Sequence, residues 1–120
     1  MIYKYITAIL TDKKCGFKMS DFLKTISALN DETRVLILKF LIKNGKSCVC
    51  ELESSLEMIQ SRLSRHLKIL KEAGFLSVEK SGTWSFYYID CKSELNHDML
   101  NSLKKIDIDI PKKIPICRKD

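Results

Sequence analysis

Residues 60–74 read QSRLSRHLKILKEAG, and the fold class can be inferred outward from this segment. Three leucines recur in it at intervals of four and three residues, which is the spacing of one buried face of an α-helix: Leu63, Leu67 and Leu70. The other faces are mostly polar, and residues 60–72 carry four basic side chains against one acidic side chain. The stretch predicts an amphipathic helix with a basic outer face, which ends at Gly74.

Beyond this helix the period of the apolar residues changes to two. Leu76 and Val78 alternate with polar residues, and the run from Trp84 to Tyr88 alternates in the same way. Residues 80–83 (Lys-Ser-Gly-Thr) lie between the two runs and have turn composition. The pattern predicts a β-hairpin.

Three helices are predicted before residue 60. The first carries an apolar stripe formed by Phe22, Leu23, Ile26 and Leu29. Asn30 and Asp31 supply N-cap chemistry for the second, which from residue 35 to residue 42 is apolar on nearly every side apart from Lys39 and should be buried on several sides. Ser47 is expected to cap a short third helix over residues 48–56.

A last amphipathic helix follows the hairpin, with an apolar stripe formed by Leu95, Met99, Leu100, Leu103 and Ile106. The prediction is an N-terminal extension (1–18), one domain (19–106) and an irregular C-terminal tail (107–120). Both Met1 and Met19 could be the natural start. The fold class is mainly α with a small β-hairpin (α+β), arranged as a winged helix-turn-helix.

Composition bounds the class of protein. A chain of 120 residues with 45% apolar content suits one domain, and its net charge of +6 favours a polyanionic partner mildly. Five cysteines do not space like a disulfide framework, and no stretch resembles a signal peptide or a membrane span. We expect a cytoplasmic protein with reduced thiols and no membrane partner.

The winged helix predicts binding to double-stranded DNA, because its second helix fits the major groove and its hairpin reaches the neighbouring backbone. Arg62 and Arg65 can each donate two hydrogen bonds to guanine, and Gln60 suits adenine. Lysines at the rim contact phosphates. The candidate DNA-binding residues are Gln60, Ser61, Arg62, Ser64, Arg65, His66, Lys68 and Lys80. The competing interpretation is a helical domain whose basic face is only solvated.

Three motifs resemble the ArsR/SmtB family of metal-responsive winged-helix repressors, and most closely its arsenic-sensing branch. Residues 28–34 (Ala-Leu-Asn-Asp-Glu-Thr-Arg) match the junction of the first two helices of the family, and residues 64–76 match its recognition helix and exit. Residues 48–52 (Cys-Val-Cys-Glu-Leu) match its metal box. The resemblance spans residues 20–90. It implies a homodimer, built on the first and last helices, that binds an inverted repeat and is released by an inducer.

The sequence departs from the family pattern at three positions. Glu53 stands where the arsenic-sensing branch often has a third box cysteine. Ile59 replaces the usual serine or threonine before the recognition helix, which weakens that N-cap. Thr83 stands where a basic wing residue is common, which leaves Lys80 as the expected wing contact. For His66 the family offers either a DNA-facing or a packing role.

Cys48 and Cys50 are the candidate inducer ligands. Thiolates prefer soft centres, so arsenite is the expected inducer, and antimonite, cadmium, lead and zinc are possible. On an ideal helix residues i and i+2 point about 200° apart, so both sulfurs reach one atom only if the start of the helix unwinds. We expect that distortion to displace the recognition helix and release the DNA.

The third inducer ligand is open between Cys15 and Cys117, with Glu53 suited to cadmium or zinc rather than arsenic. A two-thiolate site with an outside third ligand is a further possibility. Cys91 is expected to be structural, and His97 to lie on the surface. Two alternatives remain for the function: a cadmium-, lead- or zinc-sensing repressor, or a regulator that senses oxidants through a thiol pair. No substrate pocket, phosphate loop or carboxylate pair points to an enzyme.

Overall fold

The computed structural model describes residues 18–114. Its elements in chain order are α1 (Met19–Ala28), α2 (Glu32–Asn44), β1 (Ser47–Cys48), α3 (Val49–Leu56), α4 (Gln60–Glu72), β2 (Leu76–Ser81), β3 (Trp84–Ile89) and α5 (Glu94–Lys104). The strands form an antiparallel sheet in the order β1-β3-β2. Helices α3 and α4, followed by the β2–β3 hairpin, make the winged helix-turn-helix that the sequence predicts.

The core is formed where α2, α4 and α5 meet the sheet. Leu63, Leu67 and Leu70 of α4 are completely buried, as their spacing predicts. They pack with Phe40 of α2 and Phe75, which precedes β2, in one apolar cluster. Burying such side chains contributes about 1.5–3 kcal/mol each to stability, so α4 is held rigidly against the domain while its basic outer face remains exposed.

The N-cap of α2 confirms the role expected of Asp31. Its carboxylate accepts hydrogen bonds from the backbone N–H groups of Thr33 (2.8 Å) and Arg34 (3.2 Å). Partial burial alone would raise the pKa of Asp31, but these N–H donors and the nearby Arg34 guanidinium outweigh it and lower that pKa. The α1–α2 corner is therefore fixed by an ionised cap.

The prediction that Ser47 caps the third helix is wrong. Ser47 and Cys48 form the short strand β1, which pairs with Tyr87 and Phe86 of β3. The Ser47 hydroxyl donates to the carbonyl of Gly45 at 3.0 Å, and Cys48 itself is the N-cap of α3. A two-residue strand has no readable period, so only its partner β3 reveals it.

Lys39 is buried together with the apolar residues around it, although the sequence marked it as the exception in α2. Its ammonium donates to the carbonyl of Leu103 at 2.9 Å and also to that of Ile106. Carbonyls at a helix C-terminus lack intrahelical partners and carry partial negative charge, so a cation is favourable there. Lys39 thus fastens the end of α5 to the middle of α2.

Residues 107–114 follow α5 without regular structure, as expected of the tail, but they lie against the domain. Ile110 packs against the apolar cluster. Further along, Lys113 and Ile114, which we call the strap, bond to α3 and to the residue before β1. The tail therefore returns to the segment that carries Cys48 and Cys50.

Candidate DNA interface and thiol site

The outer face of α4 presents the side chains that the sequence assigned to DNA. All six of the following are exposed: Gln60, Ser61, Arg62, Ser64, Arg65 and Lys68. The helix begins after Ile59, which is 70% exposed and offers no side-chain cap. Polar and basic side chains on a free helix face can reach base edges and phosphates in a major groove.

His66 differs from these residues because it is half-buried and faces Arg34 at the start of α2. Its Nδ1 atom lies 3.2 Å from Nη1 of Arg34, which can only donate, so Nδ1 accepts and the ring is neutral. Arg34 also donates through Nε to the carbonyl of Ala28 at 2.7 Å. His66 therefore links the recognition helix to the α1–α2 corner, which is the packing alternative rather than the DNA-facing one.

Burial lowers the pKa of His66, and three nearby cations add to that effect: Arg34, Arg62 and Arg65. Asp31 opposes them. Between the lowered pKa and the ordinary value of 6.5, the unfolded chain binds more protons than the folded one. The free energy of unfolding therefore rises with pH across this window and falls on acidification.

We expect His66→Gln to remove part of this acid sensitivity, because glutamine keeps an acceptor oxygen but does not titrate. Urea unfolding of both proteins between about pH 5 and pH 8, where histidine changes charge, measures the effect. The two curves should converge as pH falls. His97→Gln, at an exposed position in α5, is the matched control. Parallel curves for wild type and His66→Gln would contradict the assignment.

The wing is the β2–β3 hairpin, whose two-residue turn is Gly82-Thr83 because Ser81 pairs with Trp84. Lys80 lies in β2 beside this tip and is exposed, where it can reach a DNA backbone. Lys46, which precedes β1, forms an ion pair at 2.5 Å with Glu79, the neighbour of Lys80 in β2. The Lys46 ammonium also lies 5.4 Å from the ring centre of Tyr88 in β3. No local sequence pattern predicts these contacts of Lys46 at the base of the wing.

The two candidate thiols occupy unequal positions at the start of α3. Cys48 is completely buried and has extended backbone angles, while Cys50 lies inside the helix and is half-buried. Because Cys48 is the N-cap, the helical i, i+2 angle does not apply to the pair, and the expectation that both lie in the helical first turn is wrong. Only Cys50 has its backbone inside the helix.

The cysteines are not all reduced thiols, although the sequence led us to expect that they would be. Cys48 is disulfide-bonded, whereas Cys50 and Cys91 are free thiols. Burial, and secondarily Asp90, raises the pKa of Cys91, which also packs against the core and so suits its expected structural role. A metalloid ligand must be a thiolate, so binding by Cys48 requires reducing conditions.

The described part of the chain does not by itself complete a metal site. Between residues 18 and 114, no group of three or more His, Cys, Asp or Glu side chains is placed to hold a metal ion. Glu53 therefore does not complete a triad with the two thiols. The candidate third ligands Cys15 and Cys117 lie outside the described residues.

Comparisons with known proteins agree with this geometry. The family model "Bacterial regulatory protein, arsR family" matches residues 31–78, from the cap of α2 into β2. The arsenical resistance operon repressor of Bacillus subtilis is 43% identical over 76 residues, which is 63% of this chain and 67% of that protein. The chain belongs to the ArsR family. It is accordingly a DNA-binding transcriptional repressor, and its relatives are regulators rather than enzymes.

Other ArsR-family relatives extend the comparison. An uncharacterized HTH-type transcriptional regulator of Methanocaldococcus jannaschii is 50% identical over 52% of this chain and 70% of that protein. A cadmium resistance regulatory protein homolog of Staphylococcus aureus is 36% identical over 58% of each. The names of these three relatives thus divide between arsenic, cadmium and no assigned inducer.

Solved structures give the same fold. Reduced HlyU of Vibrio cholerae superimposes with a TM-score of 0.61 at 31% identity, over 72% of this chain and 87% of that one. A homodimeric winged helix-turn-helix domain of Mycobacterium bovis superimposes with a TM-score of 0.64 at 22% identity, over 78% and 82%. The second likeness supports the fold alone. Among the helices of the described region, none has the length and hydropathy needed to cross a bilayer.

Proposed function

We propose that this ArsR-family repressor is a soft-metalloid sensor, which binds an inverted-repeat operator as a homodimer and leaves it when arsenite binds Cys48 and Cys50. One observation carries the proposal: the two thiols lie at the start of α3, and α3 packs directly on the DNA-reading helix α4. A change of backbone at Cys48 therefore reaches α4 through one helix.

The burial of Cys48 explains how binding could become a conformational change. Its sulfur is buried, whereas Cys50 is half-buried, and we propose that Cys48 moves outward when both thiolates bind one centre. Cys48 is also paired with Phe86 of β3. Its movement would disturb the α3–α4 unit and the base of the wing together, and these are the two parts that contact DNA in a winged helix.

The roles of the DNA-binding residues follow from their exposure. Arg62 and Arg65 are proposed to read guanine, and Gln60 to read adenine. Ser61, Ser64, Lys68 and Lys80 are proposed to position the protein on the duplex. His66, although assigned to the interface from the sequence, is proposed to act indirectly by holding α4 against Arg34.

The homodimer is supported by an apolar face that the described residues leave exposed. Three side chains of α1 remain 41%, 54% and 39% exposed: Phe22, Leu23 and Ile26. Leu23 and Ile26 border a shallow cavity together with Met99 of α5. A contiguous exposed apolar face of this kind marks an interaction surface, and it joins the first and last helices as the family resemblance implies.

We propose that either Cys15 or Cys117 supplies the third inducer ligand. Both cysteines lie outside the described residues.

The choice among inducers is tested by titration against a DNA duplex that the protein itself selects from a random-sequence pool. Arsenite, antimonite, cadmium, lead and zinc are added separately in a phosphine reductant, because thiol reductants themselves bind arsenite. We expect arsenite to release the DNA at the lowest concentration. Release by cadmium, lead or zinc alone would favour the cadmium-type alternative, and failure of every metal would overturn the proposal.

A thiol redox regulator is the second candidate, and the disulfide at Cys48 favours it. In this alternative, oxidation rather than metalloid binding changes the start of α3. Peroxide added to the reduced protein without metal distinguishes the two. Release by peroxide alone supports the redox switch. In either case we propose a cytoplasmic protein organised as residues 1–18, 19–106 and 107–120.

A further inference from the structure

Glu51 is a buried carboxylate that is neither a proposed DNA contact nor a proposed inducer ligand. It is the third residue of α3 and is only 8% exposed. Its Oε1 atom accepts the backbone N–H of Cys48 at 3.0 Å. The same oxygen lies 3.6 Å from Nζ of Lys113 in the strap. One carboxylate therefore joins the proposed inducer ligand to the C-terminal tail.

The strap extends this connection on both sides of the thiols. Nζ of Lys113 also donates to the carbonyl of Lys46, directly before β1, at 3.1 Å. Ile114 bonds to Ser55 near the end of α3. The strap thus bridges from the residue before β1 to the last turn of α3 and spans the segment that holds both cysteines.

We propose that Glu51 and Lys113 form a latch that holds the start of α3 in the DNA-binding conformation and sets the inducer concentration needed for release. The inference rests on the proposed function of Cys48 and Cys50. The proposed function moves buried Cys48 when both sulfurs bind one centre, and this movement takes its N–H away from Glu51. Lys113 opposes this movement because it compensates the buried carboxylate and ties it to the strap.

Lys113→Met tests the latch in the full-length protein. We expect the arsenite concentration at half release to fall about twofold to tenfold, the range of one net hydrogen bond. DNA affinity without arsenite should stay nearly unchanged, because Lys113 belongs to neither proposed site. Ser55→Ala, which loosens the strap elsewhere, should act in the same direction. Lys112→Met, at an exposed neighbour, is the control, and Lys113→Arg should restore the wild-type value.

An unchanged or increased arsenite requirement in Lys113→Met and Ser55→Ala would overturn the latch. An increase would instead make the strap an arm that delivers a ligand.

Hydrogen exchange separates failure of the latch from failure of the proposed function. Without any metal, the Cys48 amide should exchange about twofold to tenfold faster in Glu51→Ala, and faster also in Lys113→Met, because it loses or loosens its acceptor. Glu51→Gln keeps an acceptor oxygen and should stay closer to wild type. If exchange changes in this way but wild type ignores arsenite, Glu51 and Lys113 do hold the start of α3, while the metalloid proposal and the role of the latch in setting the inducer concentration both fail. Unchanged exchange in Glu51→Ala overturns the latch directly.

Discussion

Replacing either Cys48 or Cys50 with serine should raise the arsenite concentration that releases the DNA by more than about a hundredfold. Loss of an outer-shell partner already costs a metal site about tenfold to a hundredfold in affinity, and a direct ligand should cost more. A hydroxyl is a hard donor that does not replace a thiolate on a soft centre. Fluorescence anisotropy of the labelled duplex, titrated with arsenite under reducing conditions, measures the change.

The control for these variants is Cys91→Ser, which removes a half-buried free thiol outside α3. It should leave release unchanged. Because Cys48 is completely buried, serine there could also weaken folding, so Cys48→Ala and a thermal melt accompany it. Normal release in a folded Cys50→Ser protein would contradict the metalloid site, since Cys50 is only half-buried and tolerates the change.

Removing Arg65 or Arg62 should weaken DNA binding about tenfold to a hundredfold each, since a bidentate arginine–guanine pair contributes about 1–3 kcal/mol of discrimination. Both side chains lie on the exposed face of a helix whose leucine face is fully buried. Alanine at either position should therefore leave the fold intact. Binding to the selected duplex and to a duplex with the guanines replaced measures both affinity and specificity.

A matched comparison separates base reading from general charge. Lys68→Ala should weaken binding similarly on both duplexes and reduce the dependence on salt, because a phosphate contact carries no sequence information. Lys105→Ala removes an exposed charge at the end of α5 and should have little effect. If Arg65→Ala behaves like Lys68→Ala, Arg65 is a phosphate contact and not a reader of bases.

Local patterns predicted the helices and the hairpin of the described residues, because apolar periods, apolar runs, cap residues and turn residues are all visible in a short window. The leucines of α4, the acidic cap at Asp31 and the alternation of β2 and β3 all lie where the sequence predicted them. Predictions failed where a contact joins distant parts of the chain. The sequence marks Lys39 only as a polar residue within an apolar helix. Its burial was not predicted, because only the fold brings the end of α5 to its ammonium.

For the site, the sequence identified residue types, and the fold assigned their positions. His66 belongs to a helix whose other polar side chains are exposed, yet Arg34, 32 residues earlier, draws it to the scaffold. Glu51 was read only as part of a motif, and Lys113 as part of an irregular tail. Their ion pair joins residues 62 positions apart, which no local pattern can reveal.

Local sequence patterns were enough to predict a winged helix with a basic recognition face and a thiol pair one helix upstream, because helix and strand periods and ligand chemistry are local properties. The unequal places of the thiols appear only in the folded chain, where Cys48 is a buried N-cap paired with β3 and Cys50 is half-buried within α3. Burial and strand pairing depend on residues far along the chain. These long-range contacts make the two thiols unequal.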